Sequence, residues 1–207
     1  VCFNDYKLYE KAKLLRGWGR SSATFNESES PEKRFNVKVS GIDYDAKYIF
    51  SELGYNFLPS EISAAFALEQ LKKLKSNIDI RVKNFNKILN YFKKHEDLFI
   101  LPTEFKGLKT GWLAFPLIIR GSSKIIRKNL QIFLEKNGIQ TRTIFTGNIL
   151  RQPIMKLQVY KKCKDATINS DNVMKNGILI GCHHGLTGNN IKYMLGKFDA
   201  FFSKFNL

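Results

Sequence analysis

Three short stretches of this 207-residue chain combine residue types able to hold an anion or move a proton. The first is Thr141-Arg142-Thr143-Ile144-Phe145-Thr146-Gly147-Asn148-Ile149-Leu150-Arg151-Gln152-Pro153, a predicted strand that ends in a guanidinium and runs into a polar turn. Arg142 offers five donors in a planar fork suited to phosphate or carboxylate, and Gly147 lets the backbone of Asn148 come close to whatever is bound. Taken alone, the same residues also describe an ordinary strand-to-helix connection with a surface arginine. The second stretch, Gly54-Tyr55-Asn56-Phe57-Leu58-Pro59-Ser60, leads into a helix. Asn56 therefore lies just upstream of a helix N-terminus, where amide donors and the dipole favour phosphate, or else it only shapes the turn. The third is Gly181-Cys182-His183-His184-Gly185 at the end of a strand. Its histidines could act as acid or base, but neighbours on a strand point to opposite faces, and with no third ligand nearby no metal site is expected. No nucleophile and base pair, Walker loop or Rossmann glycine pattern is present.

Hydrophobic periodicity supplies the elements that must carry these stretches. Val1-Cys2-Phe3 has the pattern of the tail of a buried strand, and Asn4-Asp5 caps a helix with Leu8, Ala12, Leu14 and Leu15 on one side, closed by Gly17. Residues 19 to 47 are predicted as a long irregular segment. From Ser60 one stripe, Ala64, Ala67, Leu68, Leu71, Leu74 and Ile78, continues through Val82, Phe85, Ile88, Leu89 and Phe92 as one long or kinked helix, interrupted only by Asn77-Ile78-Asp79. Strands are predicted at Phe99 to Pro102, Trp112 to Ile119, Ile139 to Phe145 and Ile178 to Cys182. Helices follow Ser122 or Ser123 as far as Asn137-Gly138, cover Ile154 to Leu157 and Ser170 to Lys175, and close the chain from a cap near Thr187. That order describes an α+β fold, a small mixed or antiparallel sheet covered by helices, without internal repeat or low-complexity tract.

With 43% hydrophobic and 13% aromatic residues the chain can fill a core. Its 34 Lys and Arg against 18 Asp and Glu leave +16, which raises nucleic acid or another polyanion as a partner. The excess is scattered along predicted amphipathic helices as Lys7, Lys11 and Lys13, Lys72, Lys73 and Lys75, and Lys161, Lys162 and Lys164, where lysine ordinarily solvates an outer face. No nucleic-acid motif accompanies it, so nucleic acid is not the expected partner, though a polyanionic small molecule would benefit from the field. Cys2, Cys163 and Cys182 have neither metal-ligand nor disulfide spacing and are expected as reduced thiols. No segment approaches the ~18 apolar residues of a membrane span and no leader is present, so a cytoplasmic location is expected.

The run Gly54-Tyr55-Asn56-Phe57-Leu58-Pro59-Ser60-Glu61-Ile62-Ser63-Ala64-Ala65-Phe66-Ala67-Leu68-Glu69-Gln70-Leu71 resembles the "GYN-x-x-x-[ST]-[DE]-x-x-A-A-x-x-x-x-Q-L" signature of the DegT/DnrJ/EryC1/StrS family, pyridoxal-phosphate enzymes of sugar-nucleotide biosynthesis. The resemblance extends from Leu15-Arg16-Gly17-Trp18-Gly19-Arg20 to the last helix. It implies a type I, aspartate aminotransferase-like fold: residues 1–58 end the large cofactor domain with an irregular interface loop, 59–95 form the long interdomain helix, and 96–207 form the C-terminal α+β domain. Thr141-Arg142, Thr146-Gly147-Asn148 and Arg151-Gln152-Pro153 are similar to the sugar-nucleotide 3-dehydratase branch, whereas the aminotransferase branch more often has a histidine-containing turn there.

The resemblance then implies C3 deoxygenation of a 4-keto-6-deoxy nucleotide sugar for surface polysaccharide such as lipopolysaccharide, with pyridoxal or pyridoxamine phosphate as cofactor and a homodimer as the working unit. Asn56 resembles the asparagine that reaches the cofactor phosphate of the neighbouring subunit, and Tyr55, Arg142 and Asn148 become substrate-side candidates. One sub-branch holds an iron–sulfur cluster through cysteines where Ser21 to Lys33 lie here. That segment has no cysteine, so no cluster is expected. Position 58 is Leu where some relatives have a polar or basic residue. The Schiff-base lysine, or the histidine that replaces it, belongs to a domain expected before Val1, so the chain alone is expected to be inactive. The alternatives are a sugar-nucleotide aminotransferase and, in another class, a basic anion- or nucleic-acid-binding domain.

Overall fold

A computed structural model describes residues 1–24, 31–161 and 167–207, with the side chain of Lys33 excluded. Asn26, Ser28 and Ser30 of the segment Ser21 to Lys33, together with Lys162, Cys163 and Lys164, lie outside the described residues. The chain divides into two compact units, Val1–Leu71 and Lys72–Leu207. Basic residues divide unevenly between them: residues 1–71 hold 9 Lys and Arg against 10 Asp and Glu, a net of −1, whereas residues 72–207 hold 25 against 8, a net of +17. Basic residues are scattered through both units, but the net excess is confined to the second.

The first unit opens with α1 (Tyr6–Arg16), capped by the Asp5 carboxylate, which accepts from the Leu8 N–H at 3.1 Å, and closed at Gly17 as predicted. Val1, Cys2 and Phe3 are exposed and form no strand, which corrects the first expectation. The stretch expected to be irregular carries more order than its composition suggests. α2 (Pro31–Phe35) precedes a hairpin of β1 (Val37–Val39) and β2 (Ile42–Tyr44), turned by Ser40 and Gly41 with φ of 53° and 85°. Two positive φ values in a two-residue loop match the twist of the flanking strands, and the alternation in Val37-Lys38-Val39-Ser40-Gly41-Ile42-Asp43-Tyr44 carries that signal. Arg34 then locks the return of the chain, its guanidinium donating to both oxygens of Asp45 and holding that carboxyl below its ordinary range.

α3 (Glu61–Phe92) runs unbroken through Asn77-Ile78-Asp79. Ser60 caps it, the hydroxyl accepting from the Ser63 N–H at 3.2 Å. From Glu61 to Ser76 every residue of the helix is exposed, Ile62 and Phe66 included, whereas Phe85, Ile88 and Phe92 in its second half are completely buried.

The second unit is one antiparallel sheet of four strands, β3 (Phe99–Ile100), β4 (Ala114–Ile119), β5 (Thr141–Arg142) and β6 (Gly177–Gly181), in the order β3-β4-β6-β5. β4 alternates, with Phe115, Leu117 and Ile119 turned to the core, and pairs with β6 so that Phe115 faces Ile180. On that side lie α3, α4 (Arg127–Lys136) and α6 (Gly188–Phe205), which contribute Leu130, Leu134, Phe198, Phe201 and Phe202 to the same cluster. Phe92 meets Phe99 and Phe198 edge to face at 5.4 and 5.0 Å, and burial of each such ring contributes about 1.5–3 kcal/mol. The α+β expectation holds, with an all-antiparallel sheet.

Several boundaries differ from expectation, β3 ending at Ile100 and β4 beginning at Ala114 among them, and three differ for local reasons. α4 begins four residues after Ser123, because Ile125 enters the core and Ile126 stays extended. Ser123 caps only its own turn, accepting from the Ile125 N–H at 3.1 Å. β5 stops at Arg142 instead of reaching Phe145, since the Ile144 carbonyl accepts from the Gly147 N–H at 2.8 Å and bends the chain. The third is the 3₁₀ turn Pro153–Leu157, found where a short helix was predicted. α5 (Ile168–Asn176) and the Thr187 cap of α6, a reciprocal box with Asn190, follow the prediction. Among the described residues no helix is long and apolar enough to cross a membrane.

Candidate functional site

In the first unit the Gly54 to Phe57 segment is held from outside by backbone. Trp18 N–H donates to the Tyr55 carbonyl at 2.9 Å, Tyr55 N–H to Leu15 at 2.7 Å, and Phe57 N–H to Arg16 at 3.0 Å. The two segments approach so closely that a Cβ on Gly54 would stand 2.1 Å from the Gly19 nitrogen, and one on Gly19, whose φ is +75°, 1.9 Å from the Glu52 carbonyl oxygen. Glycine is required at both positions. The ring of Tyr55 stacks on Phe57 at 5.2 Å, so in this extended stretch Asn56 between them points to the other side. Asn56 is exposed, with its backbone bridged to Gly17. Tyr55 and Asn56 thus present their side chains to opposite sides of the segment.

In the second unit the Arg142 to Pro153 stretch divides in two. Arg142 lies opposite Leu179 on the sheet face turned away from the core, where the Gln140 amide oxygen, turned toward it, accepts from Nη2 at 2.6 Å. Before it, Thr141 is anchored by Glu135, whose carboxylate accepts from the Thr141 hydroxyl at 2.8 Å and from its N–H, bonds that keep the carboxyl below its usual range. Asn148 is not beside Arg142 on an open wall. It is buried, its Oδ1 accepting from the Leu150 N–H at 3.0 Å and its Nδ2 donating to Asp171 at 2.6 Å. Both ends of the amide have partners within the turn, which Asn148 helps to hold.

Asp171 on α5 is the residue that sequence reasoning missed. It also receives a two-pronged guanidinium from Arg151, with Nη2 to Oδ2 at 2.7 Å. That ion pair, reinforced by Asn148, holds its carboxyl down to about 2. Gly147, with φ +68°, lets the turn press on α5, since a Cβ there would meet Met174 at 2.7 Å. What the clamp presents outward is Phe145, 93% exposed.

The histidine turn is mounted on α3. Asn84, buried, donates from Nδ2 to the carbonyls of His183 and Leu186, each at 3.1 Å, while Arg81 donates to His184 Nδ1 at 3.3 Å. Cys182 is buried beneath, its thiol pushed up to about 11 by that burial, whereas Cys2 is exposed. Among the described residues no cluster of three or more His, Cys, Asp or Glu could hold a metal ion.

An antiparallel sheet with helices on one face, reached through one long helix, is part of the type I fold of pyridoxal-phosphate enzymes. It superposes on the Escherichia coli GDP-4-keto-6-deoxy-D-mannose-3-dehydratase with bound hydrated pyridoxal phosphate with a TM-score of 0.77, at 29% identity, covering 94% of this chain and 48% of that one. The chain belongs to the DegT/DnrJ/EryC1/StrS aminotransferase family, whose pattern matches residues 1–199. It is 32% identical to the dTDP-4-dehydro-2,6-dideoxy-D-glucose 3-dehydratase of Saccharopolyspora spinosa over 99% of this chain and 44% of that protein. It is 30% identical to the lipopolysaccharide biosynthesis protein RfbH of Salmonella typhimurium over 91% of this chain and 44% of that protein. The chain therefore spans about half the length of the relatives it matches.

Proposed function

We propose that this chain is the C-terminal portion of a pyridoxal- or pyridoxamine-phosphate-dependent sugar-nucleotide 3-dehydratase that works as a cytoplasmic homodimer. The observation that carries this reading is the Gly54-Tyr55-Asn56 segment, fixed by backbone hydrogen bonds and presenting an exposed amide on the side opposite Tyr55. One short polar donor on a rigid strand suits a phosphate, so the residues present fit the cofactor at its phosphate end. When bound, the cofactor supplies the electron sink that lets a bond beside a carbonyl break. Asn56 holds the phosphate of the cofactor in the partner subunit. Arg142 and Tyr55 contact the sugar nucleotide, and the Asn148, Arg151 and Asp171 clamp sets where Arg142's strand ends.

Relatives named as 3-dehydratases are matched over nearly the whole chain at 31 and 32% identity, which supports dehydration over amino transfer. The test is the product formed from a 4-keto-6-deoxy nucleotide sugar by the enzyme reconstituted with its complementing half. Loss of the C3 oxygen, seen as a 3-deoxy sugar by mass spectrometry, is expected, and accumulation of an amino sugar in its place would refute the reading. In the same preparation Asn56→Ala should weaken cofactor retention about tenfold, the worth of one charge-assisted hydrogen bond of about 1.5 kcal/mol. Unchanged affinity for pyridoxal phosphate would remove Asn56 from the site.

A further inference from the structure

Leu130 and Leu134 turn one side of α4 into the core, so Lys128, Ile132 and Lys136, at four-residue spacing, form a stripe on the opposite side. Ile132 is 44% exposed, an aliphatic side chain standing between two lysines and outside the core. All three line a cavity of about 610 Å³, with Glu135 and Thr141 also in its lining. A second cavity of about 350 Å³ shares Arg127 and Lys128 with the first and runs on to Arg120 and Lys175, with the exposed Ile126 in its wall. Both lie within residues 72–207, and Arg142, the side chain placed on the sugar nucleotide, lines neither. We infer that this groove docks an acidic segment of a partner protein in extended conformation, with carboxylates over Lys128 and Lys136 and an apolar side chain between them over Ile132.

A helix and an extended chain have matching steps here. Four residues of helix rise about 6 Å and two residues of extended chain about 6.6 Å, so every second side chain of an extended segment meets the next residue of the stripe. Those alternate side chains share one face, which gives the pattern acidic-x-apolar-x-acidic. The floor of the groove is fixed. Arg127 donates from Nη1 to the carbonyls of Met174 and Gly177 at 2.6 and 3.3 Å, and Gln131 donates to the Thr141 hydroxyl at 3.4 Å. Two residues of α4 are thus tied to neighbouring elements while the stripe faces outward. Glu135, the one acidic residue lining either cavity, is engaged by the hydroxyl and the N–H of Thr141. Among the described residues no carboxylate is paired with Lys128 or Lys136.

Residues 120–136 hold five basic residues, Arg120, Lys124, Arg127, Lys128 and Lys136, against Glu135 alone, so the field at the groove draws carboxylates toward it. Charge by itself would also attract nucleic acid or an anionic bilayer. No aromatic side chain lines either cavity for bases to stack on, and an isoleucine at the centre of the stripe offers a phosphate backbone no donor. A bilayer is flat where the groove is concave. An acidic segment with one aliphatic residue uses all three positions. Docking here is independent of the reaction catalysed and is measured without substrate.

The test is fluorescence anisotropy of a fluorescein-labelled peptide that repeats Asp-Ser-Leu-Ser, titrated with the full chain. Saturable binding is expected, tighter by about fivefold than that of a peptide repeating Asp-Leu-Ser-Ser, which keeps the charge but turns Leu to the face opposite Asp. Lys128→Glu combined with Lys136→Glu should weaken binding about tenfold or more. Lys192→Glu combined with Lys197→Glu on α6, the same change of charge elsewhere in the unit, should weaken it less than about twofold. Ile132→Ser should cost about fivefold, and serves if circular dichroism shows that the double reversal on α4 disturbs the fold. Absence of saturable binding overturns the inference. So does equal loss in the two double variants, which would assign the attraction to the net charge of the unit, and so does equal affinity for the two peptides. Tighter binding of a single-stranded thymidylate oligonucleotide of matched charge, lost on the same α4 reversal, would give the groove to nucleic acid and overturn it as well.

Discussion

Replacement of Gly54 by alanine is expected to destabilise residues 1–71 by about 3 kcal/mol, the upper end of what overpacking costs, and to strip the assembled enzyme of its cofactor. The added methyl would lie 2.1 Å from the Gly19 nitrogen and 2.4 Å from the Trp18 carbonyl carbon, and no rotamer change can relieve a clash with backbone. The only relief is separation of the two strands, which breaks the bonds from Trp18 to Tyr55 and from Tyr55 to Leu15. Asn56 would move with them. Gly41→Ala is the matched control: its φ is +85° but nothing lies within 4 Å, so only backbone strain of about 1 kcal/mol is added and cofactor binding should be unchanged. Thermal unfolding of the chain and cofactor absorbance of the assembled enzyme read the two effects separately. A Gly54→Ala protein as stable as Gly41→Ala would show that the close approach is not a constraint.

The second large effect is expected at Asp171. Asp171→Ala removes the acceptor for both Asn148 Nδ2 and the Arg151 guanidinium, leaving a buried amide donor without a partner and freeing the turn that follows Arg142. The expected result is a fall of about tenfold in kcat/KM, chiefly through KM, because a displaced contact wall loses binding before chemistry. Asp171→Asn keeps one acceptor oxygen for Asn148 and loses the ionic fork, so it should lie between wild type and alanine. The pH dependence has a definite sign. The folded carboxyl titrates at about 2 and an unpaired aspartate at about 4, so the clamp stabilises fully above pH ~4 and is lost as pH falls toward 2. Across that interval the thermal midpoint of wild type should drop more steeply than that of Asp171→Asn. Parallel slopes would mean that the ion pair is silent.

The long elements were legible in the sequence because one signal fixes each of them at both ends. α1 has Asp5 and Gly17, α3 has Ser60 and an apolar stripe ending at Phe92, and α6 has Thr187 and a row of phenylalanines. The hairpin at Val37–Tyr44 escaped because its strands are three residues long and mostly exposed, so the turn formers Ser40 and Gly41 outweighed the alternation. β5 was drawn too long because Ile144 and Phe145 are apolar, yet no neighbouring strand pairs with them. Asn56 could be singled out from its place ahead of a helix. Asp171 could not, since its partners lie 20 and 23 residues away with no periodic relation. Nor could the meeting of Arg142 and His183 at one cavity, which needs the register of β5 on β6.

α3 has a consequence for how this chain opens and closes. Along its first half, from Glu61 to Ser76, every residue is exposed, while further on one face, that of Asn84, Phe85, Ile88 and Phe92, is sealed in the core. A helix without cover holds itself together only by propagation from a formed turn, so its amide protons exchange with solvent through fraying that costs little. Those near Phe85, Ile88 and Phe92 exchange only when the whole sheet domain unfolds. One continuous helix thus keeps two clocks, and the point along it where the slow one begins measures how much of its length the folded core of residues 72–207 secures.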